Sequence, residues 1–361
     1  MEEKGKKGRM DYTLLLIVVL LVVIGLVILY STSAYNGQVK FHDSFYYLKK
    51  QAFATVLGIV LMLFVAGMDY HIWQKLAVFG YLAAVVLSVA VMLFGREING
   101  SKRWLALGPF SFQPSEFAKV ALILFLADLV TKNVKTIGKM WTLCRIMFWI
   151  LPIVGLVGAS NLSTAIIILG IGVILIFVAS PKYAQFALMG IAGACFMGIF
   201  LALESYRLER LAIWRNPEKY EKGYQTLQGL YAIGSGGVFG VGIGNSVQKL
   251  GFVPEAQNDM IFSIICEELG LAGAGIIVFL FLLLIWRFFL IASGSRDLFG
   301  ALIATGAMAH MMIQVILNIA VVTNTIPNTG ITLPFISYGG TSVMFLLIEM
   351  GLVLSVSQVV D

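Results

Sequence analysis

The chain has 361 residues, of which 59% are hydrophobic and 12% are charged, with a mean hydropathy of +0.92. Soluble globular domains carry about 25% charged residues, so this composition excludes an ordinary soluble protein and places most of the chain in lipid. The formal net charge is +6, but the basic residues are spread among short segments between apolar runs. This spread is typical of a membrane topology signal, and no nucleic-acid partner is expected.

Ten apolar runs approach the length of about 20 residues that a helix needs to cross a bilayer. We therefore predict an all-α integral membrane protein, a single polytopic domain over residues 1–361 with about ten transmembrane helices and membrane lipids around it. The first run is longer than a signal-peptide core, so we expect an uncleaved helix. The fifth and sixth runs are either two helices, one broken pair or a re-entrant turn. The runs lie near residues 12–31, 51–68, 72–94, 114–131, 147–160, 162–179, 184–203, 261–286, 299–322 and 340–358.

The orientation follows from Lys and Arg, because short cytoplasmic loops carry an excess of both. With the N-terminal segment 1–11 inside, the cytoplasmic segments hold twelve such residues and the short outer loops hold six. Both termini are therefore predicted to be cytoplasmic, and residues 204–260 are predicted to form a large external loop between helices seven and eight. The twelve are Lys4, Lys6, Lys7, Arg9, Lys75, Lys132, Lys135, Lys139, Arg145, Lys182, Arg287 and Arg296; the six are Lys40, Lys49, Lys50, Arg96, Lys102 and Arg103.

The external loop becomes glycine-rich through residues 234–246, GSGGVFGVGIGNS. This pattern predicts positive φ angles or a close approach of two backbones. It is not a dinucleotide fingerprint, because no strand precedes it and no βαβ pattern surrounds it.

Ionisable side chains within the apolar runs are costly in lipid, so each is a candidate functional residue. Glu116 and Lys119 are three residues apart on one helical face. They form either a buried ion pair that fixes helix packing or a site where Lys119 meets an anionic ligand. Three further polar residues recur every four positions, a stripe that often only bonds neighbouring helices. They are His310, Gln314 and Asn318.

Adjacent Glu267 and Glu268 point about 100° apart on a helix, so they are not expected to serve one site together. Glu349 has no evident partner in the sequence. The three cysteines and three histidines show none of the spacings that hold a metal, and the metal content stays unknown. These residues are Cys144, Cys195, Cys266, His42, His71 and His310.

Three loop blocks carry the densest polar motifs. Their order and spacing resemble the SEDS family of peptidoglycan glycosyltransferases, which includes FtsW, RodA and SpoVE, and the FtsW/SpoVE branch looks closest. The likeness covers nearly the whole chain. The blocks are QPSEFAK at 113–119, GVGIGNSVQKLGFVPEAQNDMIFSIICEELG at 240–270 and ITLPFISYGGTS at 331–342.

The resemblance implies an enzyme that polymerises lipid II into glycan strands at the outer face of the bacterial cytoplasmic (inner) membrane, for cell division or for the sporulation septum. It implies a class B penicillin-binding protein, a transpeptidase, as partner. By motif match, the essential Asp of the family falls on Asp259 and its Lys after the QPSE motif on Lys119. Lys50 and Gln51 match the basic-Gln pair that opens helix two.

Two departures from the family pattern stand out. Many relatives have PDLGT between helices five and six, where this chain reads SNLST with Asn161 in place of the Asp. Some relatives carry a Lys before the LPF motif, where this chain has Thr329.

The implied reaction joins an acceptor sugar hydroxyl to the anomeric carbon of a donor, with inversion and with undecaprenyl pyrophosphate as the leaving group. A base must take the hydroxyl proton, and cations must balance the charge on the departing pyrophosphate. We assign the base to Asp259, with simple helix capping as the alternative. Substrate contacts are assigned to Lys119 with Lys50 or Arg103, and to Glu116 and Gln51.

Mg²⁺ or Mn²⁺ could help neutralise the pyrophosphate, but the sequence shows no dedicated cage and no organic cofactor site. The competing function is a lipid II flippase, since ten helices with buried charges also describe many carriers. A carrier predicts charges along a midplane path, whereas the densest motifs here lie in loops. A structural scaffold for division proteins would leave those motifs without a task.

Overall fold

The computed structural model describes residues 10–98, 101–107, 110–187, 190 and 211–359. Its long helices are α1 (Tyr12–Phe41), α2 (Tyr46–Gly67), α3 (His71–Phe94), α4 (Pro114–Asn133), α5 (Met140–Ser160), α6 (Leu162–Ala179), α8 (Ile261–Gly294), α9 (Leu298–Val322) and α10 (Gly340–Ser357). A shorter helix, α7 (Tyr224–Ser235), lies in the segment before α8.

Within the described residues, 8 helices are long and apolar enough to cross a membrane. The ninth long helix, α4, carries four charged residues and is buried along most of its length. The predicted helical membrane fold is confirmed. The number ten stays a prediction, because most of the seventh run, 184–203, lies outside the described residues.

Several helices extend beyond the apolar runs that predicted them. Helix α1 continues ten residues past its run, to Phe41, and α8 continues to Gly294. Hydropathy marks only the part of a helix that lies in hydrocarbon, whereas backbone hydrogen bonding continues until a cap ends it. The fifth and sixth runs are two separate helices, because Asn161 ends α5 and its side chain caps α6 by accepting a bond from the Thr164 N–H.

Three short strands join α3 to α4, and the sequence did not predict them. They are β1 (Arg96–Ile98), β2 (Ser101–Leu107) and β3 (Phe110–Phe112), antiparallel in the order β1-β2-β3. The hydroxyl of Thr341, at the start of α10, donates to the Ser111 carbonyl at 2.7 Å. The sheet therefore lies at the same end of the bundle as the start of α4 and α10, which we call the sheet end.

The helices α2 and α10 pack closely because small residues lie between them. A Cβ on Gly58 of α2 would come within 2.7 Å of Leu347, and a Cβ on Gly351 of α10 within 2.6 Å of the Met62 carbonyl. In lipid, the burial of apolar side chains contributes little to helix association, so such close packing is a main source of it.

Helix α8 is broken at Gly270, whose φ of 67° and ψ of −169° are not helical. The glycine-rich loop inserts at this break and satisfies the freed backbone groups. The Glu267 and Glu268 carbonyls accept from loop N–H groups at 3.0 Å, and the N–H groups of Leu271 and Ala272 donate to loop carbonyls at 2.9 Å. The loop partners are Val241, Gly242, Gly237 and Val238.

The glycine prediction is confirmed at this break. Gly237, Gly240, Gly242 and Gly244 all have positive φ angles. A Cβ on Gly240 would lie only 2.2 Å from the Glu268 carbonyl oxygen. We call residues 236–249 the break loop.

Candidate active site

The first two turns of α4 hold the predicted ion pair. Pro114 occupies the start of the helix, where its missing N–H removes no intrahelical bond. The Lys119 Nζ lies 3.0 Å from a Glu116 carboxylate oxygen, and the two side chains are only 2% and 8% exposed. The second Glu116 oxygen accepts from the hydroxyl of Ser342 on α10 at 2.8 Å. The pair therefore joins α4 to α10.

Gln314 on α9 extends this contact. Its amide oxygen accepts from the Lys119 Nζ at 3.2 Å, and its amide nitrogen donates to the Thr332 carbonyl at 3.0 Å. The same amide oxygen lies 2.8 Å from His310 Nε2, which must carry the hydrogen because an amide oxygen only accepts. The other ring nitrogen, Nδ1, lies 2.8 Å from the Glu349 carboxyl. Glu349, which had no evident partner in the sequence, thus closes a buried polar chain.

Asn318, one turn further along α9, holds two backbone segments together. Its amide nitrogen donates to the Asp259 carbonyl at 2.9 Å and to the Ile331 carbonyl at 2.7 Å. Because Gln314 and Asn318 are four residues apart on one face, a single helix connects Lys119 to the segment that carries Asp259. The polar stripe bonds neighbouring elements, and those elements carry the predicted site.

Asp259 lies just before α8 and is half-buried. The N-cap of α8 is Met260, without a side-chain cap bond, so the structure gives no support to a capping role for Asp259. Its Oδ1 accepts a long bond of 3.4 Å from the Gln225 amide. Desolvation by the surrounding protein, reinforced by the charge of Glu255, raises the pKa of the Asp259 carboxyl to about 6. A carboxyl group whose pKa lies close to neutral pH suits a general base.

Gln51 is buried near the start of α2 and forms hydrogen bonds with the loop before α10. Its amide nitrogen donates to the Ser337 carbonyl at 3.3 Å, and its amide oxygen accepts from the Gly339 N–H at 3.1 Å. Gln51 thus positions the turn that presents Ser342 to Glu116, and its amide is engaged with backbone.

Lys50 and Arg103 lie in different surroundings from this network. The exposed Lys50 ammonium contacts the Tyr46 hydroxyl at 2.6 Å and lies 4.3 Å above that ring. Arg103, on β2, donates to the Ser160 carbonyl at 3.0 Å. With Ser115 and Asn161 it lines a cavity of about 10 Å³ beside the start of α4. The structure joins Glu116 and Lys119 in one bonded network with Gln314, whereas Gln51 and Asp259 connect to that network only through the backbone segments that they bond. Lys50 and Arg103 bond other partners.

Two partners of the site were not found from sequence. Ser342 lies within a recognised block, but nothing in the sequence indicates that its hydroxyl reaches Glu116. Gln225, on α7, contacts Asp259 and also accepts from the Asn328 amide at 3.4 Å. A single Gln on an amphipathic helix gives no signal of its own.

The two residues that depart from the family pattern, Asn161 and Thr329, both take part in hydrogen bonds that hold the fold. Asn161 caps α6, a role that Asp fills about as well. The Thr329 carbonyl accepts from the Ser163 hydroxyl at 2.8 Å, which ties the loop after α9 to the start of α6. Within the described part of the chain, no three His, Cys, Asp or Glu side chains converge as a metal site requires.

The chain is similar to known proteins along nearly its whole length. Residues 12–361 match the cell cycle protein family model of FtsW, RodA and SpoVE. Stage V sporulation protein E of Bacillus subtilis is 40% identical, with 98% of each chain covered. The probable peptidoglycan glycosyltransferase FtsW of Trichlorobacter lovleyi is 35% identical over 96% of this chain and 93% of the relative.

Solved structures agree with the sequence relatives. One chain of a peptidoglycan synthase complex, studied for the coordination of polymerization and crosslinking, superposes with a TM-score of 0.83 at 30% identity, covering 96% of this chain and 97% of that one. The rod shape determining protein RodA of Thermus thermophilus gives a TM-score of 0.72 at 28% identity, covering 96% of each chain.

Proposed function

Because the chain belongs to the FtsW, RodA and SpoVE family of cell cycle proteins, we propose that it is a peptidoglycan glycosyltransferase that polymerises lipid II into glycan strands. Two relatives support the assignment, one named as a probable enzyme of this activity and one solved within a peptidoglycan synthase complex. The observation that carries the proposal is the environment of Asp259. The pKa of its carboxyl is raised to about 6, and its backbone carbonyl bonds to α9, the helix that also bonds the buried Lys119.

In the proposed reaction, the carboxylate of Asp259 takes the proton from the acceptor sugar hydroxyl. The hydroxyl oxygen forms a bond to the anomeric carbon of the donor as the bond from that carbon to the pyrophosphate oxygen breaks. Attack opposite the leaving group inverts the anomeric centre and releases undecaprenyl pyrophosphate. General-base assistance of this kind contributes roughly 10²–10⁴ in rate.

The departing pyrophosphate needs positive charge, which we assign to Lys119 with Lys50 or Arg103. Lys119 is buried and already bonded to Glu116 and Gln314. These two partners use two of the three N–H donors of the ammonium, so a phosphate oxygen can take the third donor or replace one partner by exchange. Lysine suits that exchange, because it carries a compact charge with three rotatable donors.

A divalent cation, Mg²⁺ or Mn²⁺, would neutralise further charge on the pyrophosphate. The described residues offer Asp259 as a protein ligand and no cluster of three acidic or imidazole groups. Substrate phosphates and water would then supply the remaining ligands, an arrangement that Mg²⁺ commonly adopts.

We place the protein in the bacterial cytoplasmic membrane as one multi-pass domain, with the sheet end and residues 204–260 on the outer side and both termini in the cytoplasm. The lysine and arginine count supports this orientation. We further propose a class B penicillin-binding protein as partner, since the similar chain from the synthase complex belongs to an assembly that couples polymerization to crosslinking.

The test is a polymerisation assay on purified protein, alone and with its partner, given lipid II and analysed for glycan polymer by size. We expect polymer from the wild type and a loss of at least about 10²-fold in Asp259→Asn. Protein level and thermal stability are measured in parallel, to separate lost chemistry from lost fold.

Two results would contradict the proposal. Activity of Asp259→Asn within about threefold of wild type would exclude the base, since its loss should cost 10² or more. If the protein moved lipid II from one leaflet of a vesicle membrane to the other and made no glycan polymer, the flippase function would be favoured instead.

A further inference from the structure

The break loop exposes a continuous set of large apolar side chains. Phe239 is 83% exposed, more than any other large apolar side chain described in the structure. Between residues 236 and 248 the sequence contains no charged residue. Such a patch on a loop requires a partner that is not water. Its other exposed members are Val238, Val241, Ile243 and Val247.

Buried polar bonds fix the position of this loop. The Lys249 ammonium lies 2.6 Å from the Glu268 carboxylate and 2.9 Å from the Ser31 hydroxyl of α1. The Glu267 carboxylate accepts from the Ser246 hydroxyl and from the Val247 N–H. Together with the backbone bonds at the Gly270 break, these contacts hold the loop against α8, so its apolar side chains stay at a fixed depth.

That depth can be measured along α8. At the opposite end of the bundle, Arg287 of α8 pairs with Asp11, which marks a polar boundary. Leu271, bonded to the loop backbone, is 16 residues above Arg287, or about 24 Å at 1.5 Å per residue. The hydrocarbon core of a bilayer is about 30 Å thick. The break loop therefore lies within the sheet-end leaflet, close to its edge.

The apolar patch is also continuous with the lipid-facing surface of α8. Leu271 directly below it is 71% exposed, and Ile276 and Phe279 continue the exposed apolar face along the same helix. A surface that joins a membrane-facing helix face, at hydrocarbon depth and without charge, has the chemistry of a lipid contact.

We propose that the break loop enters the sheet-end leaflet and that bilayer acyl chains cover Phe239 and its apolar neighbours. The loop thereby holds the segment that ends at Asp259 down at the membrane surface. For the lipid-linked substrate this anchoring keeps the catalytic carboxylate at the height where the sugar emerges from the bilayer. This last step rests on the proposed function, whereas the insertion itself does not.

The test uses the full chain with Cys144, Cys195 and Cys266 replaced, and one cysteine introduced by Phe239→Cys and labelled with the fluorophore NBD. Two matched variants serve as references. Ile276→Cys reports the lipid face of α8, and Glu221→Cys reports an exposed turn at the sheet end. The purified chain, without any partner protein, is placed in phosphatidylethanolamine and phosphatidylglycerol bilayers.

We expect the label at 239 to behave as the label at 276 does, with blue-shifted emission, quenching by nitroxide lipids and little quenching by aqueous iodide. Iodide quenching at 239 equal to that at 221 would overturn the proposal and leave the patch for a protein partner. The readout involves no lipid II, so a failure of the proposed glycosyltransferase activity would not alter its outcome.

Discussion

At the scale of single residues, the titration of Asp259 governs the expected pH dependence. Burial and the nearby Glu255 raise the pKa of this carboxyl to about 6, and only the ionised form can accept a proton. We expect kcat/KM to fall about tenfold per pH unit below that pKa. In Glu255→Gln the loss of the neighbouring charge lowers the pKa of Asp259, so the acid limb moves to lower pH. Initial polymerisation rates between pH 4.5 and 8 measure both profiles.

The matched control is Glu221→Gln, which removes an exposed acid that is not among the causes of the Asp259 shift. Its profile should coincide with wild type. An acid limb that Glu255→Gln leaves in place would remove Glu255 from the causes of the shift, and a wild-type profile without an acid limb near pH 6 would show that Asp259 is not the base.

Substitutions of the Glu116–Lys119 pair can distinguish a role in helix packing from a role in the reaction. Removing one partner of a buried pair leaves an uncompensated charge and costs about 3–5 kcal/mol, so Lys119→Met should lower the melting temperature strongly. Replacing both with apolar residues often restores stability. We expect the double variant Glu116→Leu, Lys119→Met to be stable but inactive, if Lys119 contacts phosphate. Thermal melts and polymer yield on the same preparations test this.

Lys119→Arg supplies the second arm, because arginine keeps the charge but changes its shape and hydration. Polymerisation at the wild-type rate by either the double variant or Lys119→Arg would leave the pair with a structural role only.

The sequence predicts Glu116, Lys119 and Asp259 as site residues because local spacing or family motifs mark them. It could not reveal that Ser342 and Gln225 contact them, since these bonds join residues 226 and 34 positions apart. It likewise gave no sign that Lys50 lies on the exposed side of α2 while Gln51, its neighbour, faces inward. Such differences depend on how helices rotate and pack against each other, which short motifs do not record.

At the scale of elements, Gly270 is the residue on which the form of α8 depends. Its φ and ψ lie in a region open almost only to glycine, and a Cβ there would come within 2.4 Å of the Gly240 nitrogen. We expect Gly270→Ala to lower stability by more than the roughly 1–3 kcal/mol of backbone strain alone, because the break loop must also move.

Gly275→Ala, five residues further on the same helix, is the matched control. A Cβ at Gly275 would meet no atom within 4 Å, so alanine there should be neutral or stabilise by up to about 1 kcal/mol. Melting temperatures of the two variants in the same detergent measure the difference. Equal stability would mean that the break does not need a glycine.

Hydropathy predicted where the long helices lie but not the break in α8, because averaging over an apolar run hides one non-helical residue. The glycine-rich stretch before α8 predicted unusual backbone, and the structure shows its cause in the bonds to Glu267, Glu268, Leu271 and Ala272. The three strands were missed because they are short: β1 and β3 have 3 residues each and β2 has 7, too few for a clear period-two pattern.

At the scale of the whole molecule, the orientation in the membrane is the main prediction. In a chain without native cysteines, Glu221→Cys should react with an impermeant thiol reagent on intact cells, and Lys135→Cys should react only after lysis. Both positions are exposed, so accessibility depends on the side of the membrane. The reverse pattern would invert the topology.

The close contact between α2 and α10 has a consequence for how the protein is made. The Gln358 side chain donates to the Ala66 carbonyl at 2.7 Å across 292 positions of sequence. At the 5–20 residues per second of translation, a ribosome needs roughly 15–60 s to make that stretch. During this time α2 stands in the membrane without its main neighbour, and its small-residue face is covered only by lipid or by the insertion machinery. A ribosome that stalls before residue 340 would therefore leave the earliest helices inserted but the bundle open.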